Sequence, residues 1–135
     1  MALGDVTGDG RLDILVTSGG NSDGTLSVFS QNSSGIISTN ETANYPSYDI
    51  PQGVATGDLD GDGLTDAVVW HDAWIKVGVY LQSAGGGLGQ ETLFALTKSN
   101  QSILAQSVAV ADLNGDGKND VVAVCDGGVQ ILYHN

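Results

Sequence analysis

Three nine-residue stretches constrain this chain more than anything else in it. They read Asp5-Val-Thr-Gly-Asp-Gly-Arg-Leu-Asp13, Asp58-Leu-Asp-Gly-Asp-Gly-Leu-Thr-Asp66 and Asp112-Leu-Asn-Gly-Asp-Gly-Lys-Asn-Asp120. From Asp5 to Asp58 is 53 residues, and from Asp58 to Asp112 is 54. The flanks recur as well. Ala2-Leu3-Gly4, Ala55-Thr56-Gly57 and Ala109-Val110-Ala111 precede the loops, and Ile14-Leu15-Val16, Ala67-Val68-Val69 and Val121-Val122-Ala123 follow them. A period this constant marks one structural unit built repeatedly.

The unit reads as β-structure. Its apolar runs are short, rich in β-branched residues and bounded by Gly, Asn, Asp and Ser. A second run recurs as Leu26-Ser27-Val28-Phe29, Val77-Gly78-Val79-Tyr80 and Val129-Gln130-Ile131-Leu132. Gly19–Gly24, Gly85–Gly87 and Asp126–Gly128 read as turns. No segment carries a capped 3.6-residue apolar stripe, so the fold class is all-β. The period has room for four short antiparallel strands, the size of one β-propeller blade. In the middle repeat the strands are predicted near 53–57, 65–70, 75–82 and 91–97. The first repeat has only a stub of its first strand, Ala2 to Gly4, and the third stops at its third strand. Residues 1–135 thus read as a single β-propeller segment of about two and a half blades, with repeats near 1–44, 45–100 and 101–135. Such a segment belongs to a larger propeller or assembles with copies of itself, since closed propellers have roughly 4–8 blades.

The chemistry of the loops follows from their oxygen atoms. Acids or amides at positions one, three, five and nine offer four side-chain donors around one point, Thr7 substituting a neutral hydroxyl in the first loop. The backbone carbonyl at position seven (Arg11, Leu64, Lys118) can add another. Calcium takes about 6–8 oxygen ligands, whereas zinc would call for His or Cys and magnesium for more water. Glycines at positions four and six permit the backbone to wrap an ion. An EF-hand would need Glu at position twelve between helices; Val16, Val69 and Ala123 stand there. The acid distribution agrees. Sixteen acidic residues against four basic give a net charge of −12, and ten of the sixteen lie in the three loops. Scattered solubilising charge would not cluster so. The same balance repels nucleic acid phosphates.

The pattern resembles the FG-GAP/VCBS-type repeats of integrin-like β-propellers. Gly57–Asp66 and Ala111–Asp120 carry the likeness, with Gly4–Asp13 a slightly degraded copy. The Phe-Gly…Gly-Ala-Pro segment of FG-GAP repeats is not visible, which makes VCBS-like the nearer label. In such repeats each loop joins the first two strands of a blade and holds a structural Ca²⁺. The resemblance assigns as ligands Asp5, Thr7, Asp9 and Asp13; Asp58, Asp60, Asp62 and Asp66; and Asp112, Asn114, Asp116 and Asp120. Arg11, Leu64 and Lys118 would contribute backbone carbonyls, giving about three Ca²⁺ in all, one per loop.

Catalytic signals are weak. His71-Asp72 has no nucleophile motif beside it and reads as turn residues after a strand, and His134 reads as solvated. Gly85–Gly89 lacks the ending of a P-loop. The expectation is a non-enzyme: a calcium-binding module of an extracellular or cell-surface protein that binds carbohydrate or protein, as a lectin-like or adhesion module does. The alternatives are a scaffold fragment that completes its blades by homo-oligomerisation through exposed blade edges, or an accessory domain of a secreted enzyme or toxin. Trp70, Trp74, Tyr80, Tyr45 and Tyr48 are candidate recognition residues, but inter-blade packing is the favoured reading, with Trp74, in a turn between Ala73 and Ile75, the one least expected to be buried. Cys125 reads as a small buried side chain rather than a reactive thiol. No apolar run nears the ~20 residues of a membrane span. No leader is visible, and the natural N-terminus is expected upstream of Met1. Asn32, Asn40 and Asn100 match the glycosylation acceptor pattern.

Overall fold

A computed structural model describes residues 1–71, 74–97, 108–125 and 128–134, the side chain of Cys125 excepted. Among these residues there are eleven strands and no helix. Strands β1 (Ala2–Gly4), β2 (Asp13–Ser18), β3 (Thr25–Phe29) and β4 (Ala43–Pro46) form the first sheet. The second consists of β5 (Pro51–Gly57), β6 (Asp66–His71), β7 (Lys76–Tyr80) and β8 (Thr92–Ala95). The third holds β9 (Val108–Ala111), β10 (Asp120–Cys125) and β11 (Gly128–Leu132). Each is an antiparallel meander in chain order. The middle sheet's strands fall within a few residues of the ranges predicted from sequence.

The sheets are stacked as blades. The innermost strands β1, β5 and β9 stand beside one another, β5 touching both of the others. Successive side chains of a strand point to opposite faces, and β6 shows what that means for a blade with neighbours on both sides. Ala67 and Val69 join Leu15, Leu26, Val28 and Tyr80 in a core between blades one and two. Val68 and Trp70 join Val77, Val121 and Ala123 in a second core between blades two and three. All six residues of β6 are therefore buried, and Ala67–Trp70 within it form a continuous apolar run rather than an alternating one. In β2 the alternation survives, because among the described residues a blade covers blade one on one side only: Leu15 is buried while Ile14 and Val16 are half-buried. The same holds for β10, with Val121 and Ala123 buried and Val122 and Val124 half-buried. The architecture is a set of β-propeller-like blades.

Candidate metal centre

Each loop is built by the same hydrogen bonds. The first aspartate accepts backbone N–H groups from positions four and six: Gly8 and Gly10 on Asp5 (2.8 and 2.7 Å), Gly61 and Gly63 on Asp58 (2.7 and 2.9 Å), Gly115 and Gly117 on Asp112 (2.7 and 2.9 Å). Presenting those N–H groups inward requires the left-handed backbone region, and all six glycines have φ between 73° and 86°. Position three accepts from the residue two further on, Asp60 from Asp62 N–H and Asn114 from Asp116 N–H. Position five does likewise, Asp9 from Arg11, Asp62 from Leu64 and Asp116 from Lys118.

Position nine opens the second strand of each blade and is fully buried. One carboxylate oxygen of Asp13, Asp66 and Asp120 accepts the N–H of loop position two: Val6 at 3.2 Å, Leu59 at 2.7 Å and Leu113 at 3.1 Å. The other accepts the N–H of the second residue beyond the third strand: Gln31 at 3.3 Å, Gln82 at 2.8 Å and His134 at 3.0 Å. This aspartate fastens its loop to the end of the blade's third strand, 14 to 18 residues further along the chain.

Loop two concentrates the charge. One oxygen from each of Asp58, Asp60 and Asp66 lies within 4.8 Å of the other two. That spacing suits donors sharing one cation at about 2.3–2.6 Å, and the donors are all hard oxygens. Burial lifts Asp66 above the ordinary carboxylate value, and the charges of Asp60 and Asp62 add to the lift, against the N–H groups of Gln82 and Leu59. A cation would relieve that strain on the ionised form. Asp62, the fourth predicted side chain, is outside the close triad and turned to Leu64 N–H. Loops one and three hold a neutral residue at position three, and among the described residues neither gathers three carboxylates so closely. In loop one Arg11 pairs with Asp9 and also donates to the Gln31 carbonyl at 2.9 Å, while the buried Thr7 hydroxyl has no hydrogen-bond partner. In loop three the Lys118 N–H and the Asn114 amide hold Asp116 below the usual carboxylate range.

A family model described as an FG-GAP-like repeat matches residues 5–69, and one described as an FG-GAP repeat matches residues 104–128. This is an FG-GAP-type repeat chain. Both matches carry the FG-GAP name, although the Phe-Gly…Gly-Ala-Pro segment is missing from the sequence. A search of curated proteins finds no significant match. The first match spans loops one and two with strands β2 to β5 and most of β6, and the second spans loop three with β9 and β10.

Around these FG-GAP loops the structure decides among the candidate aromatics and corrects the readings of His71 and His134. Trp70 and Tyr80 are 1% and 0% exposed, so they pack blades together and cannot meet a ligand. Their positions in the doubly covered middle blade explain this, and the unbroken apolar run before Trp70 was the available signal. Tyr45 is half-buried and accepts the Leu88 N–H at 3.0 Å. Trp74, by contrast, is 46% exposed and meets Tyr48 edge-on at 6.1 Å, with the Lys76 ammonium 4.5 Å from the Tyr48 ring centre. His134 is half-buried, its Nδ1 enclosed without a partner, rather than solvated. Asp72, Asn100 and the Cys125 side chain lie outside the described residues.

His71 is not a turn residue. It ends β6, is fully buried, and forms a pair that sequence reasoning missed because its partners are 20 and 22 residues away. Its Nε2 lies 2.6 Å from Glu91 and its Nδ1 3.1 Å from the Asp49 carbonyl. Glu91 also accepts the Tyr48 N–H at 2.6 Å and the Ser47 hydroxyl at 3.5 Å. A nucleophilic relay places histidine between hydroxyl and carboxylate. Here the carboxylate is in the middle and the ring is sealed from solvent. The cluster clamps the 47–50 connection between blades one and two onto blade two.

Proposed function

We propose that the chain is a non-catalytic, calcium-binding β-propeller module of an extracellular or cell-surface protein. The observation that carries the reading is the Asp58–Asp60–Asp66 triad, each member oriented by a backbone N–H and presenting oxygen to a common point. The repeat of that loop supports one ion per loop, with Asp112, Asn114, Asp116 and Asp120 next in donor strength. The first loop is weakest, because Thr7 brings no charge and Arg11 engages Asp9. Carbonyls of Arg11, Leu64 and Lys118 complete each shell. When bound, the ion neutralises carboxylates that otherwise repel and pins the loop between two strands. FG-GAP repeats occur in extracellular or cell-surface proteins, which supports that location, and the exposed Trp74, packed edge-on against half-buried Tyr48, is the place for a carbohydrate or protein ligand.

Extracellular calcium modules bind at about 10⁻⁴–10⁻³ M, so a tenfold excess adds roughly 1.4 kcal/mol per site. Thermal unfolding in calcium should therefore exceed that in EDTA by several degrees. Asp60→Asn should shrink the gap most, Asp116→Asn less and Thr7→Ala least. Identical melting curves with calcium and with chelator would overturn the reading.

A second reading, a scaffold that self-assembles, draws on the apolar side chains left at the two ends of the stack, Leu3 and Val129, each 53% exposed. A light-scattering mass above that of one chain would favour it.

A further inference from the structure

At the hub, the side-chain hydrogen bonds that tie neighbouring blades end at different places in the two interfaces. Ala2-Leu3-Gly4, Ala55-Thr56-Gly57 and Ala109-Val110-Ala111 are the matching triplets that lead into the loops. Between blades one and two the Thr56 hydroxyl donates to the Leu3 carbonyl at 2.7 Å. That bond runs from strand to strand and ends ahead of the first loop. Val110 stands in the place of Thr56 and carries no hydroxyl, so blades two and three cannot repeat it. They are tied instead from loop to loop: the Asn119 side-chain N–H donates to the Asp58 carbonyl at 3.0 Å. Asn119 Nδ2 lies beside Gly57, 3.5 Å from where a Cβ would stand, so the glycine leaves room for this crossing. The counterpart of Asn119 in loop two is Thr65, which packs its Cγ2 methyl against Gly4 and makes no such bond among the described residues.

Both ends of the Asn119 bond lie in candidate metal loops. Asn119 is position eight of loop three, between Lys118, whose carbonyl is a proposed donor, and the buried Asp120. Asp58 is position one of loop two. Its carboxylate accepts the Gly61 and Gly63 N–H groups and belongs to the close triad with Asp60 and Asp66. The bond therefore holds the main chain of one loop's first donor to a residue flanked by two donors of the next. Ordering a loop around an ion costs conformational freedom. Once loop three is ordered, Asn119 is fixed and Asp58 with it, so less freedom remains for loop two to lose.

We propose that Asn119 couples the second and third loops, so that filling either one with calcium tightens the other. This rests on the loops binding calcium. Asn119 is a positioning residue: it acts on loop two through the Asp58 main chain and supplies no ligand oxygen. Linkage is reciprocal, so each loop raises the other's affinity by the same factor. One hydrogen bond carries a factor of roughly three to ten. Loop one stands outside the pair, since blade two reaches it through the Gly87 N–H of a hairpin, on the Val6 carbonyl at 3.1 Å, and not through loop two.

The probe is calcium itself, titrated into the ¹⁵N-labelled 135-residue chain. The Gly61 and Gly63 amides report loop two, and the Gly115 and Gly117 amides report loop three. Asp60→Ala removes a donor from loop two at an exposed position and leaves the buried Asp66 in place. In the parent chain it should also raise the calcium midpoint of loop three about three- to tenfold. In a chain carrying Asn119→Thr, a residue that loop two already accepts at the same position, Asp60→Ala should leave the loop-three midpoint unchanged. A merely structural role for Asn119 would not abolish this cross-effect. The proposal fails if Asp60→Ala leaves loop three unaffected in the parent chain, or weakens it equally with and without Asn119→Thr. Loops that saturate independently thus overturn the coupling alone. Glycine amides in both loops that ignore millimolar calcium overturn the calcium reading and the coupling together.

Discussion

Asp66 and Asp60 carry the same charge six residues apart, yet the backbone asks different things of them. Asp60 is exposed and accepts one N–H from its own loop. Asp66 is sealed and satisfies two N–H groups from separate elements, Leu59 and Gln82. Removing a carboxylate that serves buried donors leaves them unsatisfied, at about 1–3 kcal/mol. Asp66→Ala and Asp120→Ala should therefore destabilise the chain in EDTA by roughly that amount, whereas Asp60→Ala should act only in calcium. Urea denaturation with chelator separates the two roles; equal losses for all three variants would refute the distinction. Tyr80 gives a second residue-scale test. Burial raises its phenol well above the ordinary value of 10.0, and its hydroxyl donates to the Pro46 carbonyl at 3.0 Å. Below about pH 10 folded and unfolded chains both keep the proton and its stabilisation is complete. Above that pH the unfolded chain sheds the proton first, so stability falls as pH rises, by up to about 1.4 kcal/mol per unit. Tyr80→Phe should lose this part of the alkaline slope, as seen by comparing unfolding free energies near pH 9 and pH 11.

At the scale of elements, the loop and the strand after it form one unit. The glycines at loop positions four and six are needed for their backbone conformation and not for space: a Cβ on Gly63 or Gly117 would meet nothing within 4 Å. Gly63→Ala should cost roughly 1–2 kcal/mol, the penalty of a left-handed non-glycine residue. That loss would appear as a lower melting temperature in calcium, and an unchanged melting point would show that the loop can re-form without the left-handed turn. The pattern of loop plus β-branched run was plain in the sequence, since period two and glycine punctuation are local properties. The His71–Glu91–Tyr48 clamp was not, because its members lie on a strand end, a hairpin and an inter-blade connection that meet only after the blades stack.

Across the whole molecule the blades touch at the hub through the residue just before each loop. A Cβ on Gly57 would come 2.5 Å from Val110 Cγ1 in the next blade, and one on Gly4 2.8 Å from Thr65 Cγ2. The third residue of the series, Ala111, is exposed. Gly57→Ala should therefore wedge blades two and three apart and cost about 1–3 kcal/mol, while Ala111→Val should change stability by no more than roughly 0.5 kcal/mol. Denaturant midpoints of the two variants check this directly. Equal destabilisation would mean that the hub is not where the blades are closest.

The amino-acid order alone determined the repeat, the strand class, the loop glycines and the oxygen donors, because each is set by residue type and spacing within a few positions. Tertiary structure decided which aromatics are covered and which carboxylates converge. Those outcomes depend on which face of a strand another blade covers. That is fixed only when sheets far apart in sequence pack against each other, so no local pattern could have carried it.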